Sequence, residues 1–214
     1  MSKPYTADNL TAQITQDLTW RLREISDLKS AIRSADRNLK RVLLRSMVAI
    51  CYAHWEGHVK FSARKYVEHI ALRKLMYSEL SPQFYRNYFL PRLAALSSSK
   101  TSVAERCSLV IEILSSQENR FVKIHDDLIN TRANLNSDVI SDICLVCDIR
   151  GDYFEDKATF IDAILLKRRN AIAHGEDTFV HENDLDDLSN QTISIMRAFS
   201  DELDNGAQLD VYRA

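Results

Sequence analysis

Between Leu165 and Gly175 the chain reads Leu-Leu-Lys-Arg-Arg-Asn-Ala-Ile-Ala-His-Gly, so that Arg169, Asn170 and His174 gather a fixed cation, an amide and a titratable imidazole. Histidine titrates near neutrality and can take or give a proton. Arginine stays charged and grips phosphate oxygens bidentately. The set suits phosphate-ester chemistry without a metal. On an ideal helix Asn170 and His174 lie about 40° from one another, whereas Arg169 and His174 lie about 140° apart. Arg169 would have to wrap toward the imidazole, or the last turn would have to loosen. A plainer account also exists: Lys167, Arg168, Arg169 and His174 are cations in a last helical turn, where they complement the helix dipole in any protein.

A phosphate diester with a neighbouring hydroxyl can be cleaved without a metal when that hydroxyl attacks the phosphorus. The step needs a base for the hydroxyl proton, an acid for the leaving oxygen and cations on the developing phosphorane. One chain supplies one motif histidine, so a monomer fills two protonation roles with difficulty.

Three segments together resemble the HEPN superfamily, in the RiboL-PSP-like and MAE-type branch found beside defence and toxin–antitoxin genes. They are Ala53-His-Trp55-Glu56-Gly57-His-Val59, Thr131-Arg-Ala-Asn134-Leu-Asn136, and the Arg169-Asn170-x-x-x-His174 motif, in that order over roughly residues 35 to 200. The resemblance implies an all-α, single-domain antiparallel helical bundle over 1–214, with a core at about 8–73 and 102–204 and a variable insertion at about 74–101. It implies a metal-independent endoribonuclease, a toxin or defence nuclease, with RNA as substrate and no cofactor. Two copies would bring both Arg169 and both His174 into one groove of a homodimer, with Asn170 orienting the imidazole or binding phosphate. Glu56, on a helix that packs against the motif helix, becomes a candidate for orienting Arg169 or His174. A cognate antitoxin or regulatory protein is a further expected partner. The rival reading is a non-catalytic HEPN-like module that binds nucleotide or protein, and a third is a purely structural dimerisation domain.

Composition agrees with a helical fold. Four glycines and three prolines in 214 residues build few turns and favour long helices. With no signal-peptide pattern and no apolar run near a membrane span, a soluble, cytoplasmic protein is expected. Cys144 and Cys147 form C-x-x-C inside an apolar stripe and read as buried small hydrophobes. The net charge of −2 conceals an asymmetry: residues 1–100 carry 17 Lys and Arg against 8 Asp and Glu, residues 101–214 carry 11 against 22. Such halves form separate basic and acidic surfaces or attract one another.

Apolar spacing predicts helices over 8–33, from a cap at Asp36 to about Arg73, over 102–117, over 138–149 with Ser137 as cap and Gly151 as stop, and over about 183–204. In the second, Leu39, Leu43, Ser46, Ile50, Ala53 and Gly57 suggest a seam for close helix packing. His54 and His58 are spaced for one metal, but H-W-E-G-H is not the zinc-protease string, and no metal site is expected. They read as surface or partly buried histidines. Ser81-Pro82 reads as a helix start, Pro91 as an interruption and Ser97–Thr101 as a loop. The aromatics Phe84, Tyr85, Tyr88 and Phe89 read as core ahead of base-stacking groups. Asp156 is expected to cap the motif helix, with Ile161, Ile164, Leu165 and Ile172 inward and Asn170 and His174 opposite; Gly175 suits the left-handed stop. The acidic first turn of the last helix reads as a solvated face, and the tail from Asn205 as frayed.

Overall fold

Asp36 divides the two longest elements. A computed structural model describes residues 3–98, 102–131 and 134–214. In it α1 (Ala7–Ser34) ends at Ala35, and the Asp36 side chain accepts from Asn38 and Leu39 N–H to start α2 (Arg37–Leu72). These form an antiparallel pair, and α8 (Asp184–Gln208) lies against both. Between them come α3 (Pro82–Ser98), α4 (Val103–Ser115), α5 (Ser137–Cys147), α6 (Asp152–Asp156), a π-helical segment (Phe160–Lys167) and α7 (Arg168–Ala173). The fold is all-α: the described residues contain no strand beyond two isolated bridges. Among the described residues no helix is long and apolar enough to cross a membrane.

The core gathers where α2, α6 and α8 meet. Trp55 is fully buried and packs against Phe154 and Phe199, with ring centroids 6.0 and 6.5 Å away. The inward face of α2 is Leu44, Met47, Val48, Cys51, Tyr52, Trp55 and Val59. The seam expected from Leu39 to Gly57 is therefore not the packing face: Leu39 is half exposed and Ala53 exposed. The larger side chains on the other arc bury more apolar area, and area decides which face turns inward.

Gly57 still permits a close approach, but of a side chain. A Cβ there would stand 2.7 Å from an Arg21 guanidinium nitrogen. Arg21 is buried with Asp17, which takes its Nε and Nη2 at 2.8 and 3.0 Å. The same carboxylate lies 2.8 Å from His58 Nδ1, and His58 Nε2 lies 2.8 Å from Ser200 Oγ. His54 Nε2 lies 2.9 Å from Glu24 Oε2, an ion-pair contact poorly aligned for a hydrogen bond. Both histidines, expected at the surface or partly buried, are thus buried, because α1 brings a charged pair down onto them. The network ties α1 to α2 and α8.

Burial opposes ionisation of Asp17, but hydrogen bonds from His58 and Arg21 and their charges outweigh it and hold its carboxyl below the ordinary 3.8. Burial also lowers His54 and His69 below the ordinary 6.5. Each group binds its proton less tightly folded than unfolded, so each stabilises the fold above its ordinary value and loses that contribution as pH falls through it. Stability should therefore decline in two stages on acidification, first below about pH 6.5 and again below about pH 4. Urea midpoints measured from pH 8 to pH 3 check both steps.

Several boundaries differ from the sequence expectation. Helix α3 runs through Pro91 to Ser98, so neither Pro91 nor Ser97 ends it; Ser99–Thr101 fall outside the described residues. Asn136, not Ser137, caps α5, and α5 stops at Asp148 in the left-handed region rather than at Gly151, which instead precedes α6. Asp156 ends α6 instead of capping the motif helix. Phe160, Ile161 and Leu165 are all buried, and a widened turn keeps Phe160 and Leu165, five apart, on one side. The C-terminal tail docks rather than fraying: Ser81 N–H donates to Tyr212 O at 2.8 Å, and Tyr212 is buried.

Gly206, inside α8, faces the buried Tyr66, and a Cβ would stand 2.5 Å from its hydroxyl. Gly→Ala inside a helix ordinarily stabilises by about 1 kcal/mol. Here Gly206→Ala should destabilise by roughly 1–3 kcal/mol, as overpacking against an immobile ring does. A urea titration reads the sign.

Candidate active site

Helix α7 and its C-terminal turn carry the whole Arg169-Asn170-x-x-x-His174 motif. His174 is the C-cap residue, its N–H bonded to Asn170 O at 2.9 Å. Gly175 follows at φ +81, and Gly175 N–H to Ile172 O with Glu176 N–H to Ala171 O complete a Schellman stop. The stop lifts the His174 side chain into solvent, where it is exposed.

Arg169 is turned another way. Its guanidinium carbon lies 3.9 Å from the ring centroid of Tyr52 on α2. Tyr52 is buried, and its hydroxyl accepts from Leu135 N–H at 2.6 Å. Burial pushes this hydroxyl above its ordinary range, with Glu56 one turn along adding to the rise and the Leu135 bond and Arg169 opposing it. Asn170 Nδ2 donates to Asn134 Oδ1 at 3.4 Å. Asn136 caps α5, and Ser137 Oγ donates to Asp162 at 2.6 Å. The Asn134-Leu-Asn136 stretch is thereby fastened to the motif element at both ends; Arg132 and Ala133 lie outside the described residues. Half-buried Glu56 stands close enough to Tyr52 for its charge to be felt there.

Arg169 and Tyr52 pack together and Asn170 holds Asn134, while His174, one turn beyond Asn170 and offset by five residues from Arg169, is exposed. Tyr52 was not among the residues singled out from sequence. Its place on the apolar stripe of α2 gave no local signal that set it apart from a core residue. Tyr52→Phe keeps the ring under Arg169 but leaves the buried Leu135 N–H without its acceptor. It should cost about 1–3 kcal/mol, read as a shift in urea midpoint.

Beside the Gly175 turn runs a groove of about 810 Å³ lined by Arg37, Lys40, Arg41, Arg45, Asp177 and Phe179, among others. Lys40 meets Glu182 at 2.8 Å and Arg41 meets Asp177 at 2.5 Å. Lys29 and Arg33 both reach Asp186. The opposed charges of the two halves of the sequence therefore meet along this edge. Such exposed pairs are readily exchanged for other anions.

With these contacts in place, one comparison is decisive: the model of the RiboL-PSP-HEPN family matches residues 16–205. The chain belongs to the RiboL-PSP-HEPN family. The match takes in about two-thirds of α1, the whole of α2, the Asn-Leu-Asn stretch and the motif helix, so the three segments that carry the resemblance all lie within it. No curated protein and no solved structure matches the chain. HEPN membership implies a nuclease-type module. In this RiboL-PSP-HEPN chain two other arrangements merit comparison with the motif. Asp17, His58 and Ser200 share the connectivity of a hydrolytic triad, but they are 6%, 0% and 8% exposed and no substrate reaches the hydroxyl. Cys144 and Cys147 are buried, and burial pushes the Cys144 thiol up to about 12, so neither is a ready thiolate.

Proposed function

We propose that this protein is a metal-independent endoribonuclease in which Arg169, Asn170 and His174 act at a site composed from two copies of the chain. The observation that carries this reading is the split character of the motif. His174 is exposed at a rigid helix stop, while Arg169 and Asn170 are braced on Tyr52 and Asn134. A second His174 across a two-fold axis would supply the proton-transfer partner that one chain lacks. One imidazole takes the 2′-hydroxyl proton, the 2′-oxygen bonds to phosphorus, and the 5′-oxygen leaves with a proton from the other imidazole. Arg169 stabilises the phosphorane charge, and Asn170 steadies the imidazole or a phosphate oxygen. Cations of the neighbouring groove suit the flanking phosphates. In a cell such an activity requires restraint, which fits the role of a toxin or defence nuclease held by a partner protein.

One observation favours a second reading. The Arg169 guanidinium is packed over a buried ring, a posture that also suits a non-catalytic module binding nucleotide or protein. A labelled RNA carrying a single 2′-deoxy sugar at the mapped cut position separates the two. The nuclease reading predicts loss of cleavage at that bond alone. Cleavage that continues there rules out attack by the 2′-oxygen, and binding without cleavage of any RNA favours the module.

A further inference from the structure

Helix α4 turns its apolar stripe to solvent. Val103, Val110, Ile111 and Leu114 are 75%, 55%, 66% and 76% exposed, and Cys107 is exposed among them. Leu109 is the residue that anchors the helix inward. It is also tied to α3: the Tyr85 hydroxyl donates to Ile113 O, and Arg92 pairs with Glu112. Soluble monomers rarely leave a contiguous apolar patch of this kind uncovered.

The spacing of the stripe indicates what covers it. Val103, Cys107, Val110 and Leu114 are separated by four, three and four residues, the alternation of a two-helix seam, with Ile111 widening it on one side. We propose that α4 pairs antiparallel with α4 of a second copy of the chain. A two-fold axis midway between Cys107 and Val110 sets Val103 against the partner's Leu114 and Cys107 against the partner's Val110. The four seam positions are then their own complement when reversed, while Ile111 lies at the edge beside the aliphatic stem of the partner's Arg106. The four seam positions themselves carry no charged residue. Complete burial of these exposed fractions would remove roughly 500 Å² per copy, at most about 1,000 Å² for the pair, the size of a weak, transient interface and well short of an obligate one. Association is therefore reversible and dependent on concentration.

This contact is separate from the motif. Arg169 stacks over Tyr52, whereas the chain around α4 returns to the far end of α2, where the Arg120 guanidinium donates to Lys74 O. Those two points are about 30 Å apart along the helix. The pairing accordingly neither needs the composite site nor forms it.

The full chain carries its own probe, since Cys51, Cys144 and Cys147 are buried and Cys107 alone is exposed. A short bismaleimide should link wild type into a dimer through Cys107, and Cys107→Ser should abolish the product. The double variant Ile111→Glu/Leu114→Glu should lose the link and show half the wild-type mass in sedimentation at the same concentration, with unchanged far-UV circular dichroism. Leu209→Glu, which alters an apolar residue exposed elsewhere, should keep both. If wild type gives no Cys107-linked dimer, or if linkage survives the double variant, the pairing is overturned, whether the face proves bare or bound to a different protein.

Discussion

Replacing His174 by Ala should lower RNA cleavage by about 10²–10⁴-fold, the range expected when a positioned proton-transfer group is lost. The side chain is exposed at the C-cap of α7 and supports no packing, so melting behaviour should stay close to wild type. Arg169→Ala should cost about 10²–10³-fold through lost phosphorane stabilisation. It also removes the cation over Tyr52, a contact of about 0.5–2 kcal/mol, so activity and stability fall together there while His174→Ala moves activity alone. Arg169→Lys should not rescue, because an ammonium cannot reproduce a planar bidentate grip. Co-refolding wild type with His174→Ala tests the two-copy arrangement. Activity should fall as the square of the wild-type fraction if both imidazoles serve one site, and linearly if each copy acts alone.

The second large effect is on stability. Asp17→Ala should destabilise the fold by about 3–5 kcal/mol, the usual result of stranding buried cationic partners, and lower the melting temperature by roughly 6–20 °C. Asp17 is 6% exposed and carries Arg21 and His58 together. Removing it strands a guanidinium and an imidazole between α1, α2 and α8. By contrast Asp186→Ala, which breaks the surface ion pairs with Lys29 and Arg33, should leave the melting temperature close to wild type. Thermal melts of both variants beside wild type decide whether the buried network or the surface pairs hold the helices in register. The account fails if the two shifts are alike.

How much of this was legible beforehand depends on which physical signal each residue leaves. The long helices announced themselves by spacing, and Asp36 by its side-chain oxygen just ahead of an apolar run. The Arg-Asn-x-x-x-His string, its glycine stop and its exposed histidine were readable because helix geometry and capping are local. Tyr52 was not, since a tyrosine on an apolar stripe looks like any core residue until Leu135 and Arg169 arrive from distant sequence. Asp17 and Arg21 were not singled out from the sequence. Yet Leu10, Ile14, Asp17, Arg21 and Ile25 form one continuous stripe at steps of four, three, four and four, and all are buried. That interval was the overlooked signal. The π-helical segment left only the five-residue offset from Phe160 to Leu165, which no helical period of 3.6 would flag. For α4 the periodicity correctly gave an apolar face, but local sequence cannot say whether such a face meets its own chain or another.

The most direct measurement is on the wild-type protein with a labelled RNA in the presence of EDTA, followed by analysis of the product ends. The account predicts cleavage undiminished by the chelator, giving 2′,3′-cyclic phosphate and 5′-hydroxyl termini. Cleavage that stops in EDTA, or that leaves 3′-hydroxyl and 5′-phosphate ends, would contradict it.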